Sequence, residues 1–217
     1  RFSDRATGNV SKFAKQSKII QLDPDSAEVN KNVRVDLGLV GDVEDSFKRI
    51  AAKCADSAKP EWLDRVKQLK ADEKQFEEEI AAANDAPLTP KQVFEIINAK
   101  KLPNTVIATD VGQHQMWTAQ HFPFVKPRQL ISSGGLGTMG FGLGAAMGAA
   151  ASDPQGRPVT LVTGDGSFRM NLTELSTIAY YNIPVIVVIF NNGTLGMVRQ
   201  WQNLIYGKRF SQTTLDR

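Results

Sequence analysis

The sequence predicts an α/β protein whose larger part is a parallel sheet flanked by helices, preceded by the second half of a smaller α/β domain. Three observations lead there. Thr105 to Thr109, Val159 to Thr163 and Ile183 to Phe190 are short apolar runs of strand composition, each followed by polar or glycine-rich residues. Helix-compatible stretches separate these runs, which calls for parallel strands with their carboxyl ends along one edge of the sheet. Ile183 to Phe190 is apolar without alternation, the pattern of a central strand covered on both faces.

The elements follow in chain order. Within residues 1–56, Lys18 to Leu22, Val33 to Val35 and Leu37 to Val40 read as strands, and Val43 to Ala55 as a helix after Gly41-Asp42. Residues 57–86 shift to Lys, Glu, Asp and Ala, with Trp62, Val66, Leu69, Phe76 and Ile80 at helical spacing. That predicts a linking helix with Glu77-Glu78-Glu79 on its solvated face. The second domain, residues 87–217, opens at Leu88-Thr89-Pro90, where Thr89 can cap a helix that Pro90 begins. Val93, Phe94, Ile96 and Ile97 give that helix its apolar stripe. Leu130 to Ser152 carries no charge, yet its density of glycine and serine reads as a loop and a small-residue helix rather than a membrane span.

Composition excludes several roles. A formal net charge of +3, spread along the chain, does not make a nucleic-acid or membrane-surface patch. Cys54 is the one cysteine, so there is no internal disulfide, and a reducing compartment is expected: cytoplasmic in a bacterium, organellar in a eukaryote. No targeting segment is visible. The chain opens on Arg1 and stops at Asp216-Arg217 without a terminating pattern, so a portion of a longer protein, cut within its last domain, is expected.

The edge where parallel strands end is where such sheets bind ligands. Gly164-Asp165-Gly166-Ser167 would place there a carboxylate between two residues that let backbone approach closely, then a hydroxyl, with a helix beginning near Met170 to Glu174. Asn191-Asn192 follows the next strand and adds a neutral amide oxygen. The interval between Asp165 and Asn192 has room for one helix and one strand, so the two side chains would project from neighbouring loops. A divalent cation and a diphosphate need such a set: oxygen ligands for the metal, backbone N–H groups at a helix start for the phosphates.

Gly-Asp-Gly, a helix, an apolar strand and then Asn-Asn is similar to the thiamine diphosphate fingerprint of transketolase-like and pyruvate-decarboxylase-like enzymes. Asp110 to Trp117 (DVGQHQMW), Ser133 to Gly142 (SGGLGTMGFG) and Gly196 to Trp201 (GMVRQW) narrow it, since each resembles a segment of the acetolactate (acetohydroxyacid) synthase catalytic subunit. Arg1 to Arg5 and Ile20 to Asp25 resemble the latter part of that family's flavin-binding middle domain.

The resemblance implies a role for each matching position. Gln113 and His114 would contact the diphosphate, with Val111 beside them. Gly137 would offer its carbonyl to the aminopyrimidine, and Met139 would support the bend between the two cofactor rings. Asp165, Asn192 and the Thr194 carbonyl would hold magnesium, with Gly166, Ser167, Gly196 and Met197 lining the cofactor. Trp201 would face the second substrate, and Asp23, Asp42 and Val43 would lie near FAD. Condensation of pyruvate with a second 2-oxo acid is the implied reaction, in a homodimer or larger assembly with a possible regulatory subunit. The family's glutamate beside the pyrimidine comes from a partner's N-terminal domain, so these residues alone are expected to be catalytically silent.

Alternatives stay open on the residues themselves. His114 reads also as a histidine following a strand, Met139 as a core methionine, and Trp201 as the buried face of a helix. Gly135 to Gly140 matches G-x-G-x-x-G literally, as in dinucleotide-binding oxidoreductases, although only Leu130-Ile131 precedes it as strand and Asp153 sits in a turn. Another enzyme with the same cofactor (pyruvate oxidase, glyoxylate carboligase, aryl decarboxylase) and a non-catalytic cofactor-binding fragment complete the set.

Overall fold

The computed structural model describes residues 2–55, 59–81, 88–101, 103–153 and 156–215. The chain divides into two compact units, Arg1–Ile80 and Ala81–Arg217. The domain boundaries expected at 56/57 and 86/87 lie outside the described residues, as do the side chains of Glu77 and Ile80.

In the first unit a short helix α1 (Asp4–Thr7) precedes two parallel strands, β1 (Ile20–Asp23) and β2 (Leu37–Val40), in the register Ile20 to Leu37 through Asp23 to Val40. Helix α2 (Val43–Ala51) follows, capped by Asp42, whose side chain accepts the Asp45 N–H at 2.8 Å. Val33 to Val35 is not a strand. Side chains hold that segment instead: Asn30, at φ +63°, accepts the Val35 N–H at 2.9 Å, and Asp36 accepts the Ile19 N–H at 2.8 Å. Local side-chain acceptors thus outcompete a ladder bond over three residues. Helix α2 also ends four residues earlier than its apolar spacing suggests, because the N–H groups of Ala52, Lys53 and Cys54 all turn back onto Lys48, Ile50 and Ala51 carbonyls. Helix α3 (Pro60–Ala81) closes the unit, with Trp62, Leu69 and Phe76 exposed.

The second unit is three-layered. Its four strands, β3 (Val106–Thr109), β4 (Leu130–Ser132), β5 (Val159–Gly164) and β6 (Val185–Phe190), are all parallel in the order β4-β3-β5-β6. Alternating residues feed two cores. Val106, Ala108, Val159 and Leu161 pack with Leu143 and Ala146 of α6 (Phe141–Ser152) on one face. Ile107 and Val162 pack with Phe94 and Phe122 on the other, where Phe190 stacks on Phe94 at 5.7 Å between ring centroids. Phe94 lies on α4 (Pro90–Lys100), which carries a capping box between Thr89 and Gln92. Helices α5 (Gln113–His121), α7 (Asp165–Arg169), α8 (Glu174–Tyr180) and α9 (Gly196–Leu204) complete the unit.

Strand β6 does not occupy the central place its composition suggests among the described strands. Among the described strands it is the outermost beside β5, and Ile186 and Ile189 are 59% and 42% exposed. An unbroken apolar run reports the chemistry of a strand's two faces, and it cannot report the strand's rank in the sheet. Among the described residues no helix is long and apolar enough to cross a membrane.

Helix α6 meets the sheet through a glycine. A Cβ at Gly142 would stand 2.7 Å from Leu161 Cδ1 and 2.9 Å from the backbone nitrogen of Asp110. Backbone cannot yield as a side-chain tip can, so Gly142→Ala should lower folding stability by about 1–3 kcal/mol. At Gly144, two residues on and so on the opposite side of the helix, a Cβ meets no atom within 4 Å, and alanine there should raise stability by up to about 1 kcal/mol. Thermal midpoints of the two variants measured side by side check this; equal midpoints would overturn it.

Candidate functional site

The carboxyl ends of β3, β5 and β6 surround a cavity of about 240 Å³. Each strand passes into a helix that starts at the cavity wall. Strand β3 continues through Asp110-Val111-Gly112 into α5, β5 enters α7 directly, and β6 reaches α9 through 191–195. Neither α5 nor α9 has a side-chain cap at its start. Their leading N–H groups are therefore available to an anion.

Val111, Gln113, His114, Gly137, Met139, Asp165, Gly166, Ser167, Asn192, Thr194, Gly196 and Met197 all line this one cavity, although they come from four separate stretches of sequence. Trp201 does not join them; it lies on α9 at 55% exposure. Asp23, Asp42 and Val43 belong to the first unit, at the carboxyl end of β1 and the start of α2.

The helix expected to begin near Met170 to Glu174 is α8, which starts at Glu174, and a separate short helix, α7, begins at Asp165 itself. Gly164 takes an extended conformation and serves as its N-cap, so Gly166 and Ser167 are helical residues and not loop. Space at 166 is tight: a Cβ there would lie 2.9 Å from Leu195 Cδ2 and 3.1 Å from Leu215 Cδ1, side-chain tips that would have to shift. The Ser167 hydroxyl is buried and donates to the Val111 carbonyl at 2.8 Å, so it braces the β3 loop.

Asp165 is buried, and its Oδ2 accepts the Gly193 N–H at 3.1 Å, which draws the loop after β6 against the start of α7. Asn192 Oδ1 accepts from the Thr194 N–H at 3.0 Å and from its hydroxyl at 3.2 Å. A cation taking that oxygen would displace the hydroxyl. Among the described residues no group of three or more His, Cys, Asp or Glu is placed to hold a metal ion, and Asp165 is the single carboxylate on the cavity wall. A divalent cation here needs ligand oxygens from a bound phosphate to complete its shell.

His114 is buried, and its ring is held between Gly112 and Gly164, where a Cβ would approach within 2.7 and 2.9 Å of ring atoms. Burial lowers its pKa from 6.5 to about 4 against the opposing pull of Asp110 and Asp165, so the ring is neutral at pH 7. Its Nε2 is a buried polar atom with no partner among the described residues. Such an atom at a cavity wall fits a ligand site. Gln113 Nε2 donates across to Gln200 Oε1 at 3.0 Å, and its amide lies against Gly196, where a Cβ would force that amide to shift.

Sequence reasoning missed part of the wall. Trp117, Phe190, Leu195 and Val198 also line the cavity, and their apolar character is what any core residue shows. It missed the segment 213–215 as well, which pairs with the loop after β6: Leu195 N–H donates to Thr213 O at 2.8 Å and Leu215 N–H to Gly193 O at 2.9 Å. No periodicity signals an isolated antiparallel bridge such as Thr194 with Thr214. The stretch Gly135 to Gly140 does lie between a strand and a helix, yet its Gly137 and Met139 face the same cavity as Asp165.

Comparison with known proteins agrees with this geometry. Residues 110–216 match the thiamine pyrophosphate enzyme C-terminal TPP binding domain, and residues 1–50 match the thiamine pyrophosphate enzyme central domain. The chain is 46% identical to a probable acetolactate synthase large subunit of Methanocaldococcus jannaschii over 99% of its own length and 37% of that relative's. It is 42% identical to the acetolactate synthase large subunit of Corynebacterium glutamicum, over 99% of this chain and 34% of the relative. Identity to the acetolactate synthase isozyme 3 large subunit of Escherichia coli is 38%, over 98% and 38%. The chain thus spans little more than a third of the length of the curated relatives it matches. Two matched domains of one cofactor class, and relatives of one kind aligned along nearly all of it, show that the chain belongs to the thiamine pyrophosphate (thiamine diphosphate) enzymes and is homologous to acetolactate synthase large subunits.

Proposed function

We propose that the protein is a thiamine diphosphate- and magnesium-dependent acetolactate synthase that joins pyruvate to a second 2-oxo acid. One observation carries the reading: Gln113, His114, Asp165, Asn192, Thr194 and Gly196, from three strand ends, share one cavity with Gly137 and Met139. When bound, the cofactor supplies an electron sink for decarboxylation of the first 2-oxo acid. The chain's own residues bind and orient. Asp165, the Asn192 amide oxygen and the Thr194 carbonyl hold the cation, while the starts of α5 and α9 and the neutral His114 meet the diphosphate. Gly137 and Met139 take the ring portion, and Trp117, Phe190 and Leu195 exclude water.

The same reading extends to parts outside this cavity. FAD would lie at the carboxyl ends of β1 and β2, near Asp23, Asp42 and Val43. A second copy of the chain would complete the site, and a regulatory subunit would act on the assembly. Residues 1–56, 57–86 and 87–217 would then be a flavin-domain portion, a linker and the cofactor-binding domain.

Two measurements test this on the whole protein. Calorimetric titration with thiamine diphosphate should show binding that depends on magnesium, and pyruvate should yield acetolactate. Release of acetaldehyde or acetate in its place would assign the protein to another reaction of the same cofactor. Trp201, exposed on α9 and off the cavity wall, would act on the acceptor. Trp201→Leu should shift the ratio of acetohydroxybutyrate to acetolactate by about 5- to 150-fold, the worth of about 1–3 kcal/mol in an apolar contact, with pyruvate decarboxylation retained. A proportional loss of both products would mean that Trp201 only packs.

A further inference from the structure

The loop 133–140 that brings Gly137 and Met139 to the cavity has little to hold it. Residues 134–138 are exposed, Leu136 is 94% exposed, and nothing lies within 4 Å of a Cβ at Gly134 or Gly135. Within the loop the Thr138 N–H donates to Ser133 Oγ at 3.1 Å, and the Phe141 N–H reaches back to the Thr138 carbonyl at 3.4 Å. The loop's far end is different. Gly140 is buried, in the left-handed conformation at φ +86° and ψ −5°, and it is the N-cap of α6 without a side-chain cap of its own.

Two side chains from other elements grip this glycine. Its N–H donates to Asp110 Oδ1 at 2.8 Å, and its carbonyl accepts from Asn171 Nδ2 at 2.6 Å. The first bond fixes the peptide plane between Met139 and Gly140, and the second fixes the plane between Gly140 and Phe141. Both soft torsions of the glycine are thereby set, and with them the place where Met139 enters the cavity. Asp110 is itself 1% exposed, with its Oδ1 also accepting the Val111 N–H at 3.0 Å, so it depends on the Gly140 donor as much as the glycine depends on it. Neither Asp110 nor Asn171 lines the cavity.

We infer that Asp110 and Asn171 are positioning residues that clamp Gly140 so that Gly137 and Met139 are preorganised for the ring portion of the cofactor, leaving the diphosphate and metal end independent of the clamp. This rests on the cofactor assignment proposed above. Preorganisation matters most for a glycine-rich loop, because an unclamped one must be ordered by the ligand at the ligand's expense.

Inorganic pyrophosphate separates the two ends, since it carries the diphosphate and no rings. In the whole protein with magnesium, Asn171→Ala should weaken thiamine diphosphate binding about five- to tenfold, the worth of one hydrogen bond, and change pyrophosphate binding less than about twofold. Asn171 is exposed, so folding should survive. Asn171→Asp, of equal size but with no donor for the Gly140 carbonyl, should weaken thiamine diphosphate binding at least as much. Equal weakening of both ligands by Asn171→Ala, or full thiamine diphosphate affinity in Asn171→Asp, would overturn the clamp while leaving the proposed function standing. An unsubstituted protein that takes up magnesium pyrophosphate and not thiamine diphosphate would overturn that function and the clamp with it.

Discussion

Replacing Asp165 with alanine in the whole protein should weaken magnesium-dependent thiamine diphosphate binding by at least about 100-fold, as expected when a buried charge loses its only protein counter-charge. The cavity wall has one carboxylate, and it is this one. Asn192 and Thr194 offer neutral oxygens, which hold a hard divalent cation only weakly beside water. Two functions of Asp165 must be told apart, because its Oδ2 also accepts the Gly193 N–H and draws the loop after β6 inward. Asp165→Asn keeps an acceptor for that N–H and drops the charge. It should therefore retain the thermal midpoint of the unsubstituted protein and lose the magnesium dependence. Titration calorimetry with and without magnesium reads the outcome. Undiminished magnesium-dependent binding in Asp165→Ala would remove the metal assignment.

Much of the site was legible because its parts are local in sequence. Each ligand-facing group sits within a few residues of a strand end, and strand ends are marked by a change from apolar to glycine-rich or polar composition. Asp165 and Asn192 could be placed in one site from that rule alone, since parallel strands put their carboxyl ends together. What the sequence hid is non-local or conformational. The short helix α7 that starts at Asp165 has five residues, too few for an apolar period to mark it. The pairing of 213–215 with 193–195 leaves no composition signal. Asp110 was legible as the first residue of a motif and Asn171 carried no signal of its own, and their grip on Gly140 becomes visible only when three segments meet. The missing strand at Val33 to Val35 failed for a local reason: Asn30 and Asp36 hydrogen bonds replace the ladder.

Acidification should destabilise the protein through His114 by about 3 kcal/mol between pH 6.5 and 4, a conversion of its lowered pKa at about 1.4 kcal/mol per pH unit. The cause is burial, which penalises the charged ring more than the neighbouring Asp110 and Asp165 carboxylates and the Asp110 backbone bond favour it. In the unfolded chain this histidine takes a proton near pH 6.5; in the folded chain it waits until about 4. Between these values the unfolded state binds the extra proton, so stability must fall as pH falls. The contribution is complete above 6.5 and exhausted below 4, where both states are protonated. Other groups titrate over the same range, so the measurement has to be a difference. Urea unfolding of the unsubstituted protein and of His114→Gln at several pH values supplies it, because glutamine has no proton to gain. The variant's stability should decline less over this window, by about 3 kcal/mol in total, and the two curves should run parallel above pH 7. A diphosphate bound in the cavity would favour the protonated ring and make the decline shallower, since an anion at that wall opposes the burial penalty. Parallel curves through the whole range, with no ligand present, would mean that His114 is solvated and that its lone Nε2 is not reserved for a ligand.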